Sequence, residues 1–476
     1  LTSLTSGIDY GVHNADAATL ARGVLERVFF RKVEGEFCRD PGPVPGVFDQ
    51  LAYFREAIKN DVKHITPILR EKFPELYQGR KRTVYQNAVE SLRLRPVARK
   101  DSYIQAFVKA EKLNLDAKPD PVPRVIQPRN PRYNVEVGRY LKVAEKRVYK
   151  AVNRLYGRQV VAKGLNALQR ANLLRSQWCQ FSDPVAVGLD ASRFDQSVSQ
   201  DALKWEHSVY NSLFASRELA KLLRWQLVNR GFGRCKDGFV KYTVPGSRMS
   251  GDMNTALGNV LLMCAMFHLY FKQTELKAGF VNDGDDCVVI VERTDLPKFE
   301  GVVAWFRRFG FVMKREQDVD VFEQIDFCQS RPVNRGDKWV MMRHPWITMS
   351  KDAFWLRPVV NKKTWERQCQ AISICGQKLT SGLPVKYAWY SRLSASVAVT
   401  GNIDYSESGM ERLATGMNGD SRPILPVTRA SFFRAFGITP DRQIAIEDVL
   451  VADVPIWQEP RATPVRPGAP FLQPGW

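Results

Sequence analysis

The eight cysteines of this 476-residue chain include no C-x-x-C pair, and the two nearest in sequence, Cys369 and Cys375, lack the spacing of a zinc site. Histidine is scarce as well, with five scattered along the chain. These absences argue against a structural zinc or a haem and for reduced thiols in a cytosol-like compartment. Long apolar runs are also missing. The longest, residues 260–271, falls short of the roughly 20 residues that cross a bilayer and reads as a buried helix, so no transmembrane segment is expected. No signal peptide is visible, and the chain opens on Leu1 rather than Met, which suggests a fragment, a processed product or a segment of a longer translation product. Internal repeats and low-complexity blocks are absent. Acidic residues are outnumbered, 50 against 70 Lys and Arg, which leaves a formal charge of +20. Such an excess favours polyanionic partners and says little about fold.

Apolar residues, in contrast, are present in ordinary globular proportion, at 44%. A chain of this length is expected to fold as two or three lobes. The first hundred residues mix basic clusters with turn-rich stretches. Residues 118–139 carry Pro119, Pro121, Pro123, Pro128 and Pro131, a pattern that predicts an extended, braced segment. Helical patterns resume over about 138–180. Strand-like and helix-like signals alternate over 184–340, which argues for an α+β or α/β core. Beyond about Trp346 the pattern is mostly helical, and the proline-rich end from Val454 reads as an extended tail.

Two acidic segments carry chemistry. Residues 184–190 form a β-rich run ending in Asp190, and Asp195 follows within ASRFD. Residues 279–292, GFVNDGDDCVVIVE, read as strand, tight turn at Asn282-Asp283-Gly284, and buried strand. Adjacent acids between apolar runs repel each other and lose solvation unless a cation compensates. If the two strands pair, Asp190 and Asp285 meet at one end of a sheet and can bridge two Mg²⁺ ions about 3.5–4 Å apart, the arrangement for in-line phosphoryl transfer. An ordinary Asp-rich hairpin turn is the alternative.

Residues 249–259, MSGDMNTALGN, read as a turn entering a helix, with Thr255 and Asn259 on one face. Asn259 and Asp195 together can hydrogen-bond a ribose 2′-hydroxyl. Alternatively Ser250 or Asp252 merely caps the helix.

The order D-x4-D (Asp190, Asp195), S-G-x3-T-x3-N (Ser250 to Asn259) and G-D-D (Gly284 to Asp286) resembles motifs A, B and C of viral RNA-dependent RNA polymerases. The segments AFVKAEK, PRVIQPRNPRYNVEVGRYL, GLDASRFDQSVS, MSGDMNTALGN and NDGDDCVV are similar in particular to the plant-infecting tombusvirus family and its relatives. The resemblance implies an α+β right hand: fingers and N-terminal region over 1–180, a palm on an antiparallel sheet over 181–345 with a fingers insertion at about 205–245, and a thumb with the tail over 346–476. It marks Asp190, Asp285 and Asp286 as metal-binding acids. It places Asp195, Ser250, Thr255 and Asn259 at the nucleotide, with Asp195 and Asn259 reading the ribose. Reverse transcriptases carry aromatics where this chain has Asp195 and Asp283, which favours ribonucleotides.

Between Lys109 and Lys150 eleven basic residues face five acids. This strip is similar to motif F, which implies that Lys112, Lys118, Arg124 and Arg129 contact triphosphate or template phosphates, where Arg grips bidentately. Lys314 resembles the motif D lysine that protonates leaving pyrophosphate; an ordinary surface lysine is the alternative. Residues 325–343 read as a hairpin similar to motif E, and residues 79–92 also look like the family. The family implies Mg²⁺, with Mn²⁺ as a substitute, and single-stranded RNA template, nascent RNA and NTPs as partners. It further implies a viral auxiliary replication protein and membrane-bound replication sites in the host cytoplasm.

Overall fold

The apolar runs flanking the acidic segments become neighbours in space. The computed structural model of the chain describes residues 2–3, 10–356, 361–397 and 410–452. The proline-rich end expected to form a tail lies outside the described residues. At the centre is a four-stranded sheet in the order Ala278–Asn282, Asp286–Glu292, Pro184–Ala191, Met313–Val319, with every pair antiparallel. That pairing decides between the two classes the sequence left open: the chain is α+β.

The strands are rich in Val and Ile because both faces of the sheet are covered. Val187, Leu189, Val289 and Val291 point into one core, shared with the helices Gln200–Phe214 and Thr255–Gln273. Ala186, Val281, Val288 and Ile290 point into another, shared with the helix Ala167–Trp178, the hairpin Ser330–Asn334/Trp339–Arg343 and the helix Lys362–Thr380. The predicted buried helix is therefore real. By length and composition alone Thr255–Gln273 would suffice to cross a bilayer, but 72% of it is buried by the chain's own side chains.

The proline-punctuated segment differs from expectation. Extended backbone covers only its first part, including the strand Val125–Ile126, and a helix runs from Pro131 to Leu155. Pro131 stands in the first turn, where its missing N–H is no loss, and the Asn130 side chain accepts from Arg132 N. The basic strip is thus split between a strand and a helix rather than laid out as one extended array. The segment between the two acidic motifs contributes the hairpin Val228–Arg234/Phe239–Pro245, which takes Ile104–Gln105 as a third, parallel strand. After Trp346 the described chain is largely helical, as its pattern indicates. A short pairing of Thr2–Ser3 with Phe354–Trp355 was not legible in sequence.

Helix Thr255–Gln273 crosses a buried ion pair between Arg248 and Glu206, both fully buried. At Gly258 a Cβ would overlap Arg248 Nη2 and Glu206 Oε1. Gly258→Ala should therefore destabilise the chain by about 3 kcal/mol in a urea titration, through overpacking against a buried ion pair. At an unencumbered helix position the same change stabilises by roughly 1 kcal/mol, so the sign tests the packing.

Candidate active site

Register brings the acids together. Asp286 lies directly opposite Asp190, and Asp190 directly opposite Lys314, so one row across three strands carries two carboxylates and an amine on the same face. Asp285 sits one residue before Asp286, on the turn at the same end of the sheet as Asp190. The turn is shaped by its neighbours. Gly284 has φ +96°, a region that favours glycine. The buried Asn282 side chain accepts from Gly284 N at 3.0 Å and donates to Gly284 O at 2.7 Å.

The acids divide by their partners. Asp283 is clamped by Lys163 Nζ at 2.9 Å and Arg170 Nη2 at 2.5 Å, and these cations hold its carboxyl low in spite of burial. Asp190, Asp285 and Asp286 have no ion pair among the described residues. Burial, reinforced by Asp190 and Asp283, raises Asp285. Burial and the neighbouring Asp285 push Asp286 up to about 6. Three hard oxygen donors, crowded and short of positive charge, fit a divalent cation such as Mg²⁺. Among the described residues no three acidic, histidine or cysteine side chains already converge on one ligation point.

Asp195 and Asn259 also meet. Asn259 Nδ2 lies 3.4 Å from Asp195 Oδ1, while Asn259 Oδ1 accepts from Arg248 Nε at 3.2 Å. Arg248 can only donate, so it fixes which end of the amide faces Asp195. Arg248 is itself locked onto Glu206, which also accepts from Asn254 Nδ2 at 2.7 Å and Tyr210 Oη at 2.8 Å. Burial alone would raise the Glu206 carboxyl, but Arg248 keeps it below its ordinary value. Asp195 is half-buried without such a partner, and lost solvation pushes it up to about 6, Arg248 opposing the shift and Asp285 adding to it.

The turn after Asp190 is braced from a distant part of the chain. Arg193 takes the left-handed conformation, φ 52°, and donates to Phe30 O at 2.7 Å. Arg31, paired with Asp40, donates to Ser192 O at 2.7 Å and to Ser197 Oγ at 2.8 Å. Sequence reading missed these contacts, Arg248–Glu206, and the Lys163–Arg170 clamp, since no local spacing signals partners that are distant in the chain, 42 residues apart for Arg248–Glu206 and more than a hundred for the clamp.

Other sequence candidates sit differently. Arg129 is a correction: its side chain is buried, pairs with Asp252, and donates to Ser102 O and Asn229 Oδ1, each at 2.7 Å. With its donors occupied and its surface covered, it is an internal strut and offers no phosphate grip. The Ser250 hydroxyl accepts from Gln127 N at 3.1 Å, and Thr255 Oγ1 donates to Met249 O and Asp252 O, so both hydroxyls tie the turn to backbone. Arg124 remains half exposed, 3.6 Å from Glu111; Lys118 is exposed on a loop; Lys112 donates to Lys351 O at 2.9 Å. Among the described residues no ion pair joins Arg124 or Lys118 to Asp190, Asp285 or Asp286.

Fold and site thus define a mixed α+β protein with a carboxylate centre at a hairpin turn, beside an amide–carboxylate pair. The family described as viral RNA dependent RNA polymerase matches residues 1–455. The chain is 42% identical over 458 residues to the RNA-directed RNA polymerase of Turnip crinkle virus, covering 94% of this chain and 59% of that protein. It is 44% identical over 483 residues to that of Melon necrotic spot virus, covering 100% and 60%. For Tobacco necrosis virus (strain A) the identity is 42% over 443 residues, covering 92% and 61%. The chain belongs to the viral RNA-dependent RNA polymerase family. It spans about three-fifths of the length of these relatives.

Folding holds back ionisation of Asp286, because its folded value of about 6 lies above the ordinary aspartate value of 3.8. The metal-free chain therefore loses stability as pH rises through that window. Asp286→Asn should stabilise it near neutral pH by on the order of 2 kcal/mol, with the gain shrinking toward zero as pH falls to about 4. Calorimetry in chelator checks this, and a loss of stability at neutral pH would mean that the carboxylate is paired.

Proposed function

We propose that the chain is the catalytic part of an RNA-directed RNA polymerase, transferring nucleotides from NTPs to a growing RNA 3′ end under the direction of a single-stranded RNA template. The observation that carries this reading is the cross-strand row Asp286–Asp190–Lys314 with Asp285 on the adjoining turn. Family membership supports it.

In this reading the architecture is a right hand. Residues 1–180 form fingers and an N-terminal region, 181–345 a palm, and 346–476 a thumb with its tail. The four-stranded antiparallel sheet supports the palm, and the pairing of Val228–Arg234 with Ile104–Gln105 supports a fingers insertion at about 205–245. Asp190, Asp285 and Asp286 would hold Mg²⁺, with Mn²⁺ as a substitute. When bound, the metal supplies a lowered pKa at the attacking 3′-hydroxyl and positive charge for the leaving pyrophosphate.

The chain's own groups do the rest. Lys314, opposite Asp190, would give a proton to the leaving pyrophosphate. Asp195 and Asn259 accept from and donate to the ribose 2′-hydroxyl, with the amide held in register by Arg248. Arg124 grips phosphate oxygens, with Lys112 and Lys118 adding charge. An auxiliary viral replication protein and a membrane-bound complex in the host cytoplasm complete the proposal, supported by the family alone.

Asp285→Asn and Asp190→Ala should each reduce NTP incorporation on a defined template by at least a thousandfold while leaving RNA affinity within a few-fold, an effect of the size seen when electrostatic stabilisation of a transition state is removed. Full incorporation by either variant would refute the reading. Asp195→Ala and Asn259→Ala should each lower the preference for NTP over dNTP by roughly tenfold or more, the worth of one or two hydrogen bonds in a buried site. Competition assays measure the ratio, and unchanged discrimination in both variants would remove the ribose-reading role.

A further inference from the structure

The three-stranded sheet of Val228–Arg234, Phe239–Pro245 and Ile104–Gln105 has two unlike faces. Inward, Tyr242, Val244 and Ile104 pack on Leu20 and Val24. The fit is tight: a Cβ at Gly231 would strike the Tyr242 ring, and one at Gly233 would strike Leu20 and Ala106 O. Outward, the alternate positions carry a different chemistry. Phe232 is 44% exposed and Phe239 66% exposed, with ring centroids 5.8 Å apart. Around them stand Arg230, Arg234 and Lys241, with Lys241 directly opposite Phe232 and Arg234 directly opposite Phe239. Tyr103 is held under Arg230, whose Cζ lies 5.7 Å from the ring centroid and whose Nη1 donates to the phenol oxygen at 3.1 Å.

No acid occupies an outward position of these three strands, and Arg230, Arg234 and Lys241 have no ion pair among the described residues. The nearest acid on the hairpin, Asp237, lies at its tip and accepts from Ala17 N at 3.0 Å. The face does not stop at the sheet edge. Residues 103, 105 and 107 all point outward along one extended run, and Phe107, 50% exposed, pairs with Ile126 on the strand that follows Arg124.

We propose that this face is a platform for single-stranded RNA, with bases stacking on Phe232 and Phe239 and phosphates lying along Arg230, Arg234 and Lys241. Exposed rings cost solvation unless something flat covers them, and unpaired cations beside the rings select an anionic occupant. A single strand offers both a π face and a phosphate at each nucleotide. A duplex hides its base faces, and an acidic peptide offers charge without stacking, so neither fits as well. The nucleic acid is identified as RNA, rather than DNA, on the strength of the polymerase reading.

The test is anisotropy titration of the 476-residue chain with an unstructured oligouridylate of about 12 nucleotides, a length within the range bound by stacking platforms. Phe232→Ala combined with Phe239→Ala should weaken binding roughly tenfold or more, and Tyr at both positions should retain it. Arg230→Ala combined with Lys241→Ala should flatten the slope of log affinity against log salt by about 1 to 1.5. Incorporation on a primed template with a one- or two-nucleotide overhang should be unchanged in the double alanine variant. If wild type and variant both fail to incorporate while the variant still loses RNA affinity, the polymerase reading falls and the platform stands. Unchanged RNA affinity in the folded double alanine variant overturns the platform. So does loss of a protein contact, such as self-association, with RNA affinity intact.

Discussion

Crowded carboxylates at the end of a sheet covered on both faces are the constraint around which the chain is organised. Asp285 and Asp286 resist ionisation, because lost solvation and the neighbouring acids oppose their charge. The structure relieves this selectively. Asp283 receives Lys163 and Arg170, whereas Asp190, Asp285 and Asp286 have no ion pair among the described residues. Had the two cations been aimed at Asp285, two residues further along, that acid would already be neutralised and of little use to an incoming metal. The clamp on Asp283 also anchors the turn on which Asp285 stands, so the same contact that satisfies one acid positions another.

A similar division of labour surrounds the second polar pair. Asn259 touches Asp195 with one end of its amide, and a buried arginine decides which end. Arg248 in turn stays charged through Glu206, and glycine at 258 leaves room for both. Such buried ion pairs contribute little net stability against an apolar replacement. Their value here is orientation, because an amide that rotated would present the wrong hydrogen-bonding pattern to a hydroxyl.

Much of this was legible from sequence. The acids, the turn at Gly284, the apolar helix and the hairpin at 330–343 all follow from short-range signals: β-branched runs, turn residues and periodicity. What sequence reading could not reach depends on distant partners. Arg129 looked like one more cation in a basic strip until Asp252 and Asn229, about a hundred residues away, enclosed it. Pro131 read as a helix breaker because proline in a helix interior is one; in the first turn it is a helix start. Asp286, rather than Asp285, stands opposite Asp190 because register is set by the whole strand pair, and a one-residue offset is invisible to spacing alone. The basic strip was read as facing triphosphate or template phosphates; Arg129 is enclosed, whereas Arg124, just before the strand Val125–Ile126, stays exposed.

The central strand has a consequence for how the molecule comes into being. Pro184–Ala191 bonds on both sides to strands made about a hundred residues later. A chain emerging from a ribosome therefore carries an unpaired apolar strand, and soon afterwards the uncovered helix Thr255–Gln273, before either has its partners. Pairings so far apart in sequence close slowly, because loop entropy must be overcome before any contact rewards it. During that interval a segment that ends as core has the composition of a membrane span, and the speed with which Ala278–Asn282 and Asp286–Glu292 arrive sets how long it stays exposed.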